Sequence, residues 1–182
     1  MRRSGWGSAT AIVIACLLAA CTSPLTTSPP ATSQGMVAAD PPAGKPNWVV
    51  KGAVAVGDVI GSRVPDASTP PAVGADAFRH ALEQSLEEAG YLALSSRKPR
   101  YHLDATLQEL DQPKFSIADN AIVTARVQYR LIGPGTEAQY TVTSNGTATF
   151  DESSMFGTRL RLADERALQA NIEQLLVKLQ AF

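Results

Sequence analysis

Three segments in the second half of the chain alternate apolar and polar residues with a period of two. They run from Tyr101 to Leu110, from Ala121 to Ile132 and from Gln139 to Phe150. Successive side chains of a β-strand point to opposite faces, so this pattern predicts three strands with one buried and one polar face. The residues predicted to point inward are Tyr101, Leu103, Ala105, Leu107, Val123, Ala125, Val127, Tyr129, Leu131, Tyr140, Val142, Ala148 and Phe150.

The remaining apolar segments predict one further strand and two helices. The strand runs from Trp48 to Ile60, and the helices run from Ala75 to Ala89 and from Leu162 to Leu179, each with one apolar stripe. The order is therefore β-α-β-β-β-α. It predicts an α+β fold, a two-layer sandwich in which two helices pack on one face of a four-stranded mixed sheet. The last three strands should form an antiparallel meander, and the first helix should cross between parallel strands.

The start of the chain has the pattern of an export signal. Two arginines, Arg2 and Arg3, precede an apolar run from Ala9 to Ala20. A membrane-spanning helix needs about 20 apolar residues. The run is shorter and ends in small residues, which is typical of a secretory signal peptide.

The run ends in Leu18-Ala19-Ala20-Cys21, which resembles the lipobox of bacterial lipoproteins. The resemblance implies cleavage after Ala20 and a lipid on Cys21. Thr22 stands where Asp would imply retention in the inner membrane, so the resemblance implies the outer membrane, with the domain facing the periplasm. An ordinary signal peptide or an N-terminal membrane helix with a coincidental cysteine is the open alternative.

Residues 21–46 are rich in Pro, Thr, Ser, Ala and Gly. Such a composition predicts a disordered tether, because it offers little apolar surface to bury. A flexible coil of this length would reach roughly 25–30 Å. The predicted organisation is thus a signal peptide at 1–20, a lipidated tether at 21–46 and a single α+β domain at 47–182.

Composition narrows the possible functions. The net charge of −1 offers no electrostatic basis for binding nucleic acid. The two cysteines are Cys16, inside the signal, and Cys21, so no thiol remains for a disulfide, a zinc site or thiol catalysis. The sequence indicates no metal and no small-molecule cofactor.

Candidate chemistry is sparse. His102 and Asp104 lie two residues apart on the polar side of a strand, which suits acid–base work or metal binding. The same spacing is also typical of a solvated sheet face, and no nucleophile or third ligand accompanies the pair. The candidate binding residues are Arg126, Arg130 and Thr141 on the predicted polar face, and Phe115 in the loop after the second strand. Cys21 is the candidate lipidation site.

Several short segments resemble the YajG-type envelope lipoproteins. They are Val56-Gly57-Asp58-Val59, the helix segment from Phe78 to Leu86, Tyr101 to Leu107, Leu110 to Pro113, and Asn171 to Gln174. The resemblance covers roughly Trp48 to Phe182 and implies a fold more than an activity. The element order is also similar to the auxiliary lipoproteins of envelope transport of the LptE type, by topology alone.

The leading hypothesis is a non-enzymatic accessory or scaffolding lipoprotein that binds the membrane through Cys21 and has an envelope protein as its partner. The alternative is a binding module for a glycolipid or cell-wall ligand, such as lipopolysaccharide or peptidoglycan.

Overall fold

The computed structural model describes residues 29–62, 72–94, 96, 98–113 and 120–182. The described elements follow one another as α1 (Ser33–Met36), β1 (Val54–Ile60), α2 (Ala75–Glu88), β2 (Tyr101–Asp111), β3 (Ala121–Gly133), β4 (Thr136–Ala148) and α3 (Phe156–Gln180). The predicted α+β order is confirmed, with one short additional helix at the start.

The four strands form one mixed sheet in the order β1-β2-β3-β4. β1 pairs with β2 in parallel, and β2, β3 and β4 form the predicted antiparallel meander. A two-residue turn joins β3 to β4, and Gly135 supplies its positive φ of 71°. The parallel first pair requires a crossover, which α2 provides.

The inner face of the sheet and the two long helices enclose the core. Nearly all residues predicted to point inward are buried, and the polar residues between them are exposed or half-buried, except Ser144, which faces the core. α2 packs on β1, whereas α3 packs on β3 and β4. Gly146 allows the closest approach, since a Cβ at this position would meet the backbone of Ala163 and Ala167 in α3. The polar face of the sheet therefore lies opposite the helix layer.

Several details of the predicted elements differ from the structure; for example, β4 begins at Thr136, three residues earlier than predicted. The segment from Trp48 to Ala53 forms turns instead of strand, because Gly52 has a φ of 58° and Lys51 N–H bonds back to the Asn47 carbonyl. α3 begins at Phe156, six residues earlier than predicted. Phe150 does not point inward: it lies beyond the end of β4, and the Arg159 guanidinium sits 5.2 Å from its ring centre.

The largest correction concerns the predicted tether. Ala31, Met36 and Ala38 are buried, and α1 contacts both α2 and α3. The Thr32 side chain caps α1 by accepting from Gly35 N–H. The prediction of disorder up to residue 46 is wrong for this stretch, because its few apolar side chains fit a groove that exists only between the two assembled helices.

Candidate functional site

The polar face of the sheet is the candidate interaction surface. Strand pairing sets its side chains in rows, such as Asp104, Arg130 and Gln139, or Thr106, Gln128 and Thr141. Three of the four predicted binding residues, Arg126, Arg130 and Thr141, lie on this face together with Asp104 and His102, because β2, β3 and β4 keep one register over most of their length. Cys21 and Phe115 lie outside the described residues.

The two arginines of this face are held by carboxylates. Arg126 Nη1 lies 3.1 Å from Glu109 Oε2. Arg130 bridges two strands, with Nη2 3.3 Å from Asp104 Oδ2 and Nη1 3.7 Å from Glu137 Oε1. The face is thus compensated in charge, with both signs present in each cluster. Such a surface suits mixed polar contacts better than a strongly anionic ligand.

Neutral polar pairs fill the space between the charged ones. Gln108 Nε2 donates to Gln128 Oε1 at 2.8 Å, and Thr124 Oγ1 donates to Asn145 Oδ1 at 2.8 Å. These bonds join neighbouring strands and orient the side chains without burying them. The result is a broad, preorganised polar surface.

Asp104 has a structural task in this sheet. Its Oδ1 accepts a 2.9 Å hydrogen bond from the backbone N–H of Asp58, beside the irregularity in β1 pairing between Val56 and Val59. Gly57 leaves room for this carboxylate, since a Cβ there would collide with Oδ1. Its Oδ2 faces Arg130. Asp104 therefore stabilises the irregular pairing of β1 with β2 and orients the Arg130 side chain. This structural role explains the residue without acid–base chemistry involving the exposed His102.

A shallow hollow of about 360 Å³ opens on this face, lined by Asp58, Ile60, Asp104, Gln128, Arg130 and Gln139 among others. Across the described part of the chain, no group of three or more His, Cys, Asp or Glu side chains could hold a metal ion. Among the same residues, no helix combines the length and apolar character needed to cross a bilayer.

A second polar cluster, absent from the sequence predictions, fastens the N-terminal segment to α3. Glu165 Oε1 accepts from both the backbone N–H and the hydroxyl of Thr32, each at 2.8 Å, and from Arg161 Nη1 at 2.7 Å. Gly35 packs directly over this carboxylate. The only sequence signal was an acidic pair, Asp164-Glu165, inside an otherwise amphipathic helix.

Further bonds continue along the segment. Gln169 Nε2 donates to the Val37 carbonyl at 2.9 Å, and the Ser85 hydroxyl of α2 accepts from Ala38 N–H at 3.0 Å. Glu173 Oε1 accepts from Ala39 N–H at 3.1 Å. Side chains of α2 and α3 thus satisfy backbone groups of residues 32–39 that an extended chain would otherwise expose to water. We refer to residues 31–40 as the N-terminal clasp.

Beside the clasp lies the buried carboxyl group of Asp164. Burial raises its pKa to about 7, two hydrogen bonds from Gln112 Nε2 oppose that rise, and the neighbouring charge of Glu165 adds to it. Gln112 follows directly on β2, so this contact ties the end of the sheet to α3. The group is enclosed by the protein's own side chains.

No protein-family model matches the chain, and no curated protein matches its sequence. Solved structures resemble it in fold. A hypothetical protein from Chlamydia trachomatis has a TM-score of 0.52 at 14% identity, covering 72% of this chain and 99% of its own. A proposed lipoprotein from Caulobacter crescentus has a TM-score of 0.45 at 11% identity, covering 71% of this chain and 89% of its own. The PelC dodecamer from Paraburkholderia phytofirmans has a TM-score of 0.42 at 16% identity, covering 85% of this chain and 93% of its own. At such identities the likeness describes the fold alone, and the resemblance to YajG-type lipoproteins stays a prediction.

Proposed function

We propose that this protein is a lipid-anchored, non-catalytic accessory subunit of the bacterial envelope, held at the outer membrane by Cys21 and facing the periplasm. The lipobox-like Leu18-Ala19-Ala20-Cys21 supports the anchor. The observation that carries the accessory role is the position of the N-terminal clasp. It occupies the helix layer, on the side away from the polar face, and so leaves the whole polar face open to a partner.

The charge pattern of the polar face favours a protein partner over an anionic glycolipid. Arg126 and Arg130 already face carboxylates, so a phosphate-rich ligand would have to displace Glu109, Asp104 or Glu137. A protein surface with side chains of both signs can exchange such pairs without a large net cost. The exposed threonines and amides between them add donors and acceptors for the rim of an interface.

The test is photo-cross-linking in living cells with the lipidated protein. Photoreactive residues replace Arg126 and Thr141 on the polar face, and a matched residue replaces His80, which is exposed on α2. We expect one discrete protein to be captured from both sheet positions and not from position 80.

Two outcomes would count against the proposal. Capture of glycan or lipid alone from the sheet positions would favour the ligand-binding alternative. Equal capture from all three positions would show that the polar face is a solvent-exposed surface with no specific partner. The Cys21→Ser variant serves as the control for the anchor, since it should remain an unprocessed and unlipidated precursor.

A further inference from the structure

The N-terminal clasp determines which end of the domain lies next to the anchor. Ala31 N–H donates to the Ala72 carbonyl at 2.8 Å, and Thr32 bonds Glu165 in the first half of α3. The chain then runs along the helices to the other end, where Asn47 Nδ2 donates to the Gln180 carbonyl at 3.5 Å. The chain thus enters the domain near the start of α3, where β2 and β4 also end. We call this the proximal end, and the end near Gln180 the distal end.

The clasp also shortens the stretch of chain between the proposed lipid on Cys21 and the domain. Nine residues lie between Cys21 and Ala31, so ten residue steps join them. A flexible coil of that length spans about 16–19 Å, and a fully extended one at most about 33–36 Å. By contrast, α3 with its 25 residues is about 37 Å long. A coil of this length is about half as long as α3, so the proximal end is on average nearer to the membrane than the distal end.

The proximal end exposes large apolar side chains. Ile122 at the start of β3 is 58% exposed, Phe150 after β4 is 46% exposed, and Met155 immediately before α3 is 70% exposed. Phe150 and Met155 lie in one short connection that is held in shape, because Arg159 donates to the Ser153 carbonyl at 2.7 Å and lies over the Phe150 ring. The apolar groups are thus presented on an ordered loop.

Among the described residues of this end, the connection between β4 and α3 contains one ion pair and one exposed carboxylate without an ion pair, Asp151. Arg166 pairs with Glu152 and also donates to the Thr147 carbonyl. Anionic lipids attract clusters of basic residues, and the described residues around the connection form no such cluster. Contact with a bilayer here would rest on apolar side chains and not on the charge of the headgroups.

We propose that the proximal end rests on the lipid surface, with Ile122, Phe150 and Met155 in the interfacial layer and the distal end pointing into the periplasm. This inference rests on the proposed lipid anchor. It adds an orientation: the polar face stands roughly upright beside the membrane, where a partner in the same membrane can reach it.

Tryptophan fluorescence in vesicles tests the orientation. Trp6 precedes the predicted cleavage site, which leaves Trp48 as a natural reporter at the distal end, 86% exposed. Trp48 is thus a matched control, because it is an exposed apolar residue at the end away from the anchor. In a Trp48→Phe background, Met155→Trp and Phe150→Trp place single reporters at the proximal end. The Phe150→Trp variant keeps an aromatic ring beneath Arg159.

The lipidated proteins are reconstituted in phosphatidylcholine vesicles with and without brominated acyl chains, and flotation records anchoring separately. Interfacial residues lie about 5–10 Å into the boundary between headgroups and acyl chains, so we expect about a twofold loss of fluorescence for the proximal reporters. Trp48 should lose almost none. Adding phosphatidylglycerol should leave these values unchanged.

The outcomes separate the two proposals. If the protein floats with the vesicles but the proximal reporters are quenched no more than Trp48, the orientation is wrong and the anchor stands. If the protein with intact Cys21 does not float, the anchor fails and the orientation fails with it. Quenching that appears only with phosphatidylglycerol would overturn the apolar contact argued above.

Discussion

Tyr129 of β3 donates a 2.9 Å hydrogen bond from its hydroxyl group to Asn171 Oδ1 of α3, in the fully buried layer between sheet and helix. The Asn171 amide in turn donates to the Val142 carbonyl at 3.1 Å and to the Ser144 hydroxyl at 2.8 Å. One side chain of α3 thus joins two strands. Because burial also raises the pKa of Tyr129, its hydroxyl remains a neutral donor.

The first prediction concerns this network. Replacing Asn171 with Leu should lower the free energy of unfolding by about 1–3 kcal/mol for each buried partner left without a bond. Urea denaturation of the soluble domain measures it. Adding Tyr129→Phe to the variant should cost less than it does in the wild type, because the hydroxyl has already lost its acceptor. Strict additivity of the two substitutions would contradict the bond.

The second prediction concerns Asp164. With a folded pKa of about 7 against an ordinary value of 3.8, the folded state holds a proton that the unfolded state has released. The free energy of unfolding should therefore fall as pH rises from about 4 to about 7, by on the order of 4 kcal/mol for this group, and then level off.

Asp164→Asn isolates that contribution, because the amide does not titrate. The difference in unfolding free energy between wild type and variant should change across this window and stay constant above it. Asp111→Asn is the matched control, since Asp111 is exposed at the same end of the sheet. A difference that is flat from pH 4 to pH 8 would show that Asp164 is not buried as described.

The third prediction tests whether the N-terminal clasp belongs to the domain. Met36 is fully buried between the helices. Met36→Ala should lower the free energy of unfolding by about 2–5 kcal/mol, the usual range for a buried Met truncated to Ala. Gln34→Ala, at an exposed position of the same short helix, should stay within about 0.5 kcal/mol of the wild type. Equal stability of the two variants would favour a disordered tether, as composition alone predicts.

The period of two in β2, β3 and β4 was sufficient to predict their faces. From Leu103 to Val142, apolar residues recur at every second position within each segment. In a strand, and not in a helix, this spacing places them all on one face. The helices were recognised for the same reason at a longer period. The sequence pattern placed Arg126 and Arg130 on the same face of the sheet. It could not predict their ion-pair partners, which are Glu109, Asp104 and Glu137, because those pairs depend on the register between strands.

What the sequence by itself determined is the kind of elements, their order and which face of each is apolar, since these follow from local spacing. It also predicts an export signal and lipidation of Cys21, because both are recognised from a linear motif. Only the tertiary structure decided that residues 31–40 pack against the helices, that Asp104 contacts the backbone beside Gly57, and that Asp164 is buried. Each of these depends on groups far apart in the chain, such as Thr32 and Glu165, whose contact exists only after the helices have packed on the sheet.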